Sequence, residues 1–249
     1  MISIKSKTDL AKMREAGKIA GGALKLAGES IKAGMTTLQL DKIVHDYIIS
    51  CGAIPSFLGY GGFPGSACIS INDEVIHGIP RSSKRIHEGD IVSVDVGAIF
   101  NGFHGDTCAT FPCGRISKEA ETLLEVTEAS LYKGIEAAQA DARLGDVCHA
   151  VEQYCSAFGY GIVRNYCGHG IGRNLHEEPE VPNYGAPGHG TRLTPGMTFC
   201  IEPMINIKGD DVNVKKDGWT VLTASGSLSA HFEHTIAITP DGPEIMTRP

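Results

Sequence analysis

Apolar residues recur at helical spacing in four stretches of this chain and alternate like a strand between them. Leu10, Met13, Ile19, Ala23 and Leu24 belong to a long helix running from a cap at Thr8 or Asp9 towards Glu29. Leu40, Ile43, Val44, Tyr47 and Ile48 line one face of a second helix, capped by Thr37. A third helix opens at Ser117 and carries Leu123, Leu124 and Leu131, and a fourth spans about Gly145 to Phe158. Between the second and third, Ile91 to Ile99 alternates and is rich in β-branched residues, as a pleated, half-buried strand requires. Phe103 to Phe111 follows it back. The connection Phe100-Asn101-Gly102-Phe103 holds the Asn-Gly pair of a two-residue hairpin turn, in which both central residues take positive φ. Pairing Phe100 with Phe103 puts Asp95 opposite Cys108 and Asp106 opposite Gly97. Both aspartates then project from one face as diagonal neighbours, roughly 7 Å apart or a little less. Gly97 opposite Asp106 is expected to leave room for an ion. Gly59–Gly65 and Asn183–Gly190 read as loops by their Gly and Pro content. The first lacks the Lys and Ser/Thr of a phosphate-binding loop.

Two helices followed by strands, twice over, predict an α+β class with an antiparallel sheet covered by helices. The chain also echoes itself at an offset of 107 residues: Val44, Tyr47, Gly52 and Gly89 correspond to Val151, Tyr154, Gly159 and Gly196. Six residues after each of the last glycines stands a carboxylate, Asp95 and Glu202. Other echoes have different offsets: His77-Gly78-Ile79 with His169-Gly170-Ile171, and His104-Gly105-Asp106 with His231-Phe232-Glu233. These predict a single catalytic domain over 1–249 built as an internal repeat, roughly 1–112 and 113–249. Two halves facing each other across a pseudo-twofold axis would bring their carboxylates into one cleft.

Those carboxylates change the picture most. Asp95, Asp106, His169, Glu202 and Glu233 combine four acids with one imidazole, and Asp95, Glu202 and Glu233 stand in or beside apolar, strand-like runs. A buried carboxylate needs a partner, yet Asp95 and Glu202 have no Lys or Arg within several residues. Two divalent cations would balance four negative charges, so the residues predict a dinuclear metal site. Oxygen donors with one imidazole suit Mn²⁺, Fe²⁺, Co²⁺ or Zn²⁺, and a site without thiolates does not favour Cu⁺ or an iron–sulfur cluster. Two such ions can activate water and polarise a carbonyl. His77 and His176 are candidates to contact substrate without binding metal, whereas His87, His149 and His189 read as structural.

The net charge of −7 argues against a general nucleic-acid binder. No apolar run approaches a membrane span, and the N-terminus lacks a signal-peptide core. The eight cysteines contain no C-x-x-C pair and read as reduced, mostly structural thiols of a cytoplasmic protein.

Cys167-Gly-His169-Gly-Ile-Gly172, His176-Glu-Glu-Pro179, Pro195-Gly-Met-Thr198, Glu202-Pro203 and the hairpin ending Gly102-Phe-His-Gly-Asp106 together resemble type I methionine aminopeptidases, in their short bacterial form. The resemblance covers essentially the whole chain and implies the pita-bread fold, a dinuclear site and removal of the initiator methionine when the second residue is small. It puts Asp106, His169, Glu202 and Glu233 on one metal and Asp95, Asp106 and Glu233 on the other. His77 would contact the scissile amide nitrogen, His176 would steady the oxyanion, and Glu202 would act as general base. Tyr60, Phe63, Cys68 and Trp219 would line the methionine pocket. Leu175 replaces an aromatic, and Phe57 a cysteine, found in many or some relatives. A monovalent cation would fall near Asn72 and Ser229. The implied partners are nascent polypeptide N-termini at or near the ribosome, met by a monomer with no DNA or membrane partner. The competing readings are an Xaa-Pro peptidase of the same fold, which usually carries a separate N-terminal domain, and a metal-free peptide- or ribosome-binding relative, which should have lost ligands. A cysteine-based zinc or redox module has no spacing to support it.

Overall fold

In the computed structural model, which describes residues 1–249, helix α1 (Lys7–Ser30) is capped by Ser6 rather than by Thr8 or Asp9. Ser6 Oγ accepts from the Asp9 amide at 3.2 Å while the Asp9 carboxylate accepts from the Ser6 amide at 3.1 Å. Helix α2 (Thr37–Ser50) likewise starts at Thr36, whose reciprocal partner is Gln39. In both, the true cap is the residue that has an acceptor three positions on, a capping box. Helix α3 (Lys118–Ala137) is capped by Ser117 as expected, and α4 covers Leu144–Ser156.

The strands of the first half are β1 (Ile54–Pro55), β2 (Ala67–Ile71), β3 (Glu74–Ile76), β4 (Ile91–Phe100) and β5 (Phe103–Pro112). Those of the second are β6 (Gly161–Ile162), β7 (Gly168–Gly170), β8 (Glu177–Val181), β9 (Thr198–Ile201) and β10 (Met204–Asn206), then β11 (Val212–Val214), β12 (Val221–Thr223), β13 (Ser229–His231), β14 (Glu233–Thr239) and β15 (Gly242–Ile245). The main antiparallel sheet runs β1-β4-β5-β14-β9-β7-β8, with β2 also on β4 and β15 on β14. Small sheets β13-β10-β6 and β11-β12-β3 complete the molecule. The hairpin register is the expected one: Phe100 pairs with Phe103, Asp95 with Cys108 and Gly97 with Asp106. Asn101 and Gly102 take φ of 51° and 77°.

Side-chain alternation separates core from site. On β4, Val92, Val94 and Val96 join Leu24, Leu40, Val44 and Ile48 in a core beneath α1 and α2. On β9 and β14, Phe199, Ile201, Ile236 and Ile238 join Leu123, Leu131, Val147 and Val151 beneath α3 and α4. Asp95, Asp106, Cys200 and Glu233 alternate with these residues and therefore face the other side. Helix α1 reaches β5 backbone to backbone: a Cβ on Gly105 would sit 2.6 Å from Gly17 Cα.

The backbone correspondence extends at the offset of 107 seen in the sequence. The Gly34 amide donates to Ile86 O as the Asp141 amide does to Leu193 O, and Thr37 N to Lys84 O as Leu144 N to Thr191 O. Gly89 and Gly196 share left-handed φ of 93° and 95°. The His77/His169 echo has no such counterpart. His77 follows β3 of a small sheet with φ of 57°, whereas His169 lies in β7 of the main sheet.

Candidate metal centre

The acids stand in two adjacent rows across the middle of the sheet. Cys68, Asp95, Cys108 and Glu233 are directly paired from β2 through β4 and β5 to β14. In the next row Gly97 pairs with Asp106, and Thr235 with Cys200. Thr235 Oγ1 joins the parts of that row, accepting from the Asp106 amide at 3.1 Å and donating to Asp106 O at 2.8 Å. Glu202 follows Cys200 by two residues just past β9, so it continues the same face. Gly97 does not leave space for an ion. A Cβ there would meet Ser56 Cβ at 2.7 Å and Phe57 Cε1 at 2.8 Å, because β1 pairs alongside β4 and the chain leaving it runs past Gly97, the Ser56 amide donating to Gly97 O.

His169 Nε2 stands 3.6 Å from Glu202 Oε1 and 3.9 Å from Asp106 Oδ2, separations expected of neighbouring ligands on an ion with bonds of about 2.1 Å. Asp106, His169, Cys200 and Glu233 each offer a donor atom within 4.8 Å of the others. Cys200, to which the sequence reading gave no role, thus joins the oxygen and imidazole donors. Burial, then the charges of Glu233, Asp106 and Glu202, holds the Cys200 thiol well above its ordinary range, so it faces the acids as a protonated thiol.

The same crowding acts on the carboxyls. Burial raises Asp95 to about 6 against the pull of His231 and Asp106. Asp106, Glu202 and Glu233 are pushed well above the usual range, by burial first and then by neighbouring acids: Glu233 and Asp95 on Asp106, Asp95 on Glu202, and Glu202 and Asp95 on Glu233. Asp95 Oδ1, Asp106 Oδ1 and Glu233 Oε1 are buried without a hydrogen-bond partner. Four acids so placed cannot all ionise unless cations share the space. Orphaned oxygens, oxygen-rich donors and a neutral imidazole (burial lowers His169 to about 3) all fit a divalent metal.

One cavity of about 270 Å³ opens onto these groups. Besides Asp95, Asp106, His169, Glu202 and Glu233 it is lined by His77 and His176, and by Tyr60, Phe63, Cys68 and Trp219. Every site residue singled out from the sequence, the Asn72/Ser229 pair apart, is thus brought to one place. Phe57 and Leu175 line it too, and Ile76, Tyr166 and Cys167 join them. Phe63 and Trp219 meet edge to face with centroids 5.2 Å apart. His77 lies between Tyr166 and Trp219, at 5.8 and 6.3 Å, and burial lowers it to about 4. His176 stands at the exposed rim, its ring centroid 4.1 Å from that of His169 and its Nδ1 2.8 Å from the Tyr60 hydroxyl. Away from the cavity the Ser229 amide donates to Asn72 O at 2.9 Å, and the Asn72 side chain is engaged by Asp90 and the Ile91 amide. Sequence reasoning gave no role to Tyr166 or His231. Tyr166 precedes the Cys167-Gly-His169 motif, and His231 had only its echo of His104 as a signal.

An antiparallel sheet backed by two helix pairs, with an acid-lined cavity on its open side, is a scaffold suited to divalent metal. The sequence profile of metallopeptidase family M24 matches residues 11–240. The chain is 52% identical to the methionine aminopeptidase of Clostridium acetobutylicum over 99% of both chains. It is 48% identical to methionine aminopeptidase 1 of Bacillus subtilis over 100% of both. The crystal structure of methionine aminopeptidase from Thermotoga maritima superposes with a TM-score of 0.98 at 43% identity, again over 100% of both chains. The chain belongs to metallopeptidase family M24 and, within it, to the type I methionine aminopeptidases, with their pita-bread fold. A prolidase from Pyrococcus horikoshii shares the fold alone, at 24% identity and a TM-score of 0.76, and the chain covers 63% of it. No helix is long and apolar enough to cross a membrane.

Proposed function

We propose that this chain is a metal-dependent aminopeptidase that removes the N-terminal methionine of nascent proteins and peptides whose second residue is small. The observation that carries the reading is the set of orphaned, mutually repelling carboxyls at the floor of a cavity walled by Phe63, Trp219 and Leu175. Asp106, His169, Glu202 and Glu233 would hold one divalent ion, and Asp95, Asp106 and Glu233 a second. When bound, such a pair activates water at neutral pH and polarises the scissile carbonyl. Cobalt, manganese, iron and zinc all suit the donor set.

The chain's own groups do the rest. Glu202 takes the proton of the attacking water and returns it to the amine that leaves. His77, kept neutral by burial, contacts the scissile amide nitrogen. His176 steadies the developing oxyanion, with the Tyr60 hydroxyl on its Nδ1 leaving Nε2 to face substrate. Tyr60, Phe63, Cys68 and Trp219 take the methionine side chain, whose unbranched thioether bends to fill an irregular slot. A β-branched first residue, stiff at its first torsion, would clash. We read the two halves, 1–112 and 113–249, as one catalytic domain, with a monovalent cation near Asn72 and Ser229. Its setting would be the cytoplasm, at or near the ribosome.

A panel of peptides varied at the first two positions, with free amino acid measured, tests the reading. Met-Ala, Met-Gly and Met-Ser peptides should release methionine, and Met-Lys, Met-Leu and Xaa-Pro peptides little. Norleucine should remain a weaker substitute, because one altered group in an apolar pocket is worth only about 1–3 kcal/mol. Equal cleavage of Leu-Ala and Met-Ala, or a preference for proline in second place, would refute the assignment.

A further inference from the structure

His231 faces the carboxylates from β13 and carries none of the roles above. Its main chain is clamped to β5: the amide donates to Thr110 Oγ1 at 2.9 Å, and the carbonyl accepts from the same hydroxyl at 2.9 Å. The side chain is only 3% exposed, and its Nε2 is buried with no hydrogen-bond partner. That atom lies 3.6 Å from Glu202 Oε2. The other oxygen of the same carboxylate, Oε1, lies 3.6 Å from His169 Nε2. The two oxygens of Glu202 are therefore divided between two imidazoles, one in the donor set and one outside it. The Glu202 main chain is held separately, its carbonyl accepting from Asn183 Nδ2 at 3.0 Å.

We propose that His231 is a positioning residue for Glu202. With its proton on Nε2 it donates to Oε2, which fixes the carboxylate plane and leaves Oε1 turned towards His169. The present separation exceeds a hydrogen bond by about half an ångström, a gap that a small turn of the carboxylate about its last torsion closes. Groups that orient a ligand in this way govern activity without holding the ion themselves. The inference rests on the reading of Glu202 as the residue that moves the proton.

The test compares His231→Leu, His231→Gln, His231→Asn and Glu202→Gln, each loaded with Mn²⁺. Metal stoichiometry, melting temperature, and kcat and KM on a Met-Ala-Ser peptide are measured for all four. Leucine should lower kcat by about 10–100-fold while KM stays within about threefold and the metal content is unchanged. Glutamine, whose amide nitrogen reaches nearly as far as Nε2, should recover turnover to within about threefold of the parent, and the shorter asparagine should not. If the leucine variant fails to fold, the contrast between glutamine and asparagine decides the question. Undiminished turnover in the leucine variant would overturn the inference, as would a folded glutamine variant no better than asparagine. Loss of one metal equivalent in the leucine variant would also overturn it, by making His231 a ligand. Full activity in Glu202→Gln would instead remove the reading of Glu202. An inactive Glu202→Gln beside fully active His231 variants would remove only the inference made here.

Discussion

His176 and Tyr60 illustrate how a rim residue is aimed. The Tyr60 side chain is about half exposed, yet its hydroxyl holds His176 Nδ1 at 2.8 Å. With Nδ1 engaged, Nε2 is the nitrogen left for substrate. His77 is held differently, by a left-handed backbone and two aromatic edges. A side chain in that conformation is uncommon and is kept only where its surroundings enforce it. Neither histidine belongs to the proposed ligand set. His176→Ala and His77→Ala should therefore retain the metal content of the parent and lose turnover, His176→Ala by about 10²–10³ in kcat, the usual effect of removing one oxyanion donor. Elemental analysis beside steady-state kinetics checks this, and a variant that purified without metal would show that its histidine had been misassigned.

Among the elements, the β4–β5 hairpin and helix α1 set the floor of the site together. The Asn101-Gly102 turn places Asp95 and Asp106 on one face, and α1 braces the hairpin from behind. That brace depends on glycine at a backbone-to-backbone contact, since a Cβ on Gly105 would lie 2.6 Å from both Cα and N of Gly17. No flexible side chain is present there to yield. Gly105→Ala should accordingly cost about 1–3 kcal/mol by overpacking, read as a lower denaturant midpoint with an unchanged m value. A neutral result would mean that α1 shifts freely on the sheet. Gly97 has different neighbours, Ser56 and Phe57 just after β1, and there a Cβ would press on Phe57 of the cavity wall.

For the whole molecule, the acids at its centre couple stability to metal and to pH together. In metal-free protein Asp95 sits at about 6 against an ordinary value of 3.8, and Asp106, Glu202 and Glu233 are raised well above theirs. Unfolding then releases protons across the interval between ordinary and raised values. Stability is full below the ordinary carboxylate range and is lost as pH rises through the folded-state values. A bound dication supplies the missing charge and stabilises the native state by mass action, about 2.7 kcal/mol at a hundredfold excess over Kd. Chelation should abolish activity and lower the melting temperature, with a larger drop at pH 8 than at pH 6. Re-addition of Mn²⁺, Co²⁺ or Fe²⁺ should restore both. Calorimetric melting of apo and reloaded protein at the two pH values is the measurement, and equal drops would contradict the electrostatic account.

The local patterns were enough for the four helices, the Asn101-Gly102 hairpin and the face shared by Asp95 and Asp106, because helix spacing, strand alternation and turn chemistry are short-range properties. The caps were displaced to Ser6 and Thr36, since Ser, Thr and Asp close together in the chain are all good capping residues and only the hydrogen bonds to Asp9 and Gln39 distinguish them. The donors themselves were legible as charges in apolar runs, a cost that no nearby base offsets. Only the tertiary structure decided what surrounds them. Ser56 and Phe57 fill the space beside Gly97 because β1 pairs along β4 and leads the chain past it. Cys200 enters the donor cluster because Thr235 pairs with it across β9 and β14. His231 turns its unpartnered nitrogen towards Glu202 from a separate small sheet. Such contacts join strands far apart in the chain, and their spacing depends on sheet order and strand pairing, which no local pattern of residues encodes.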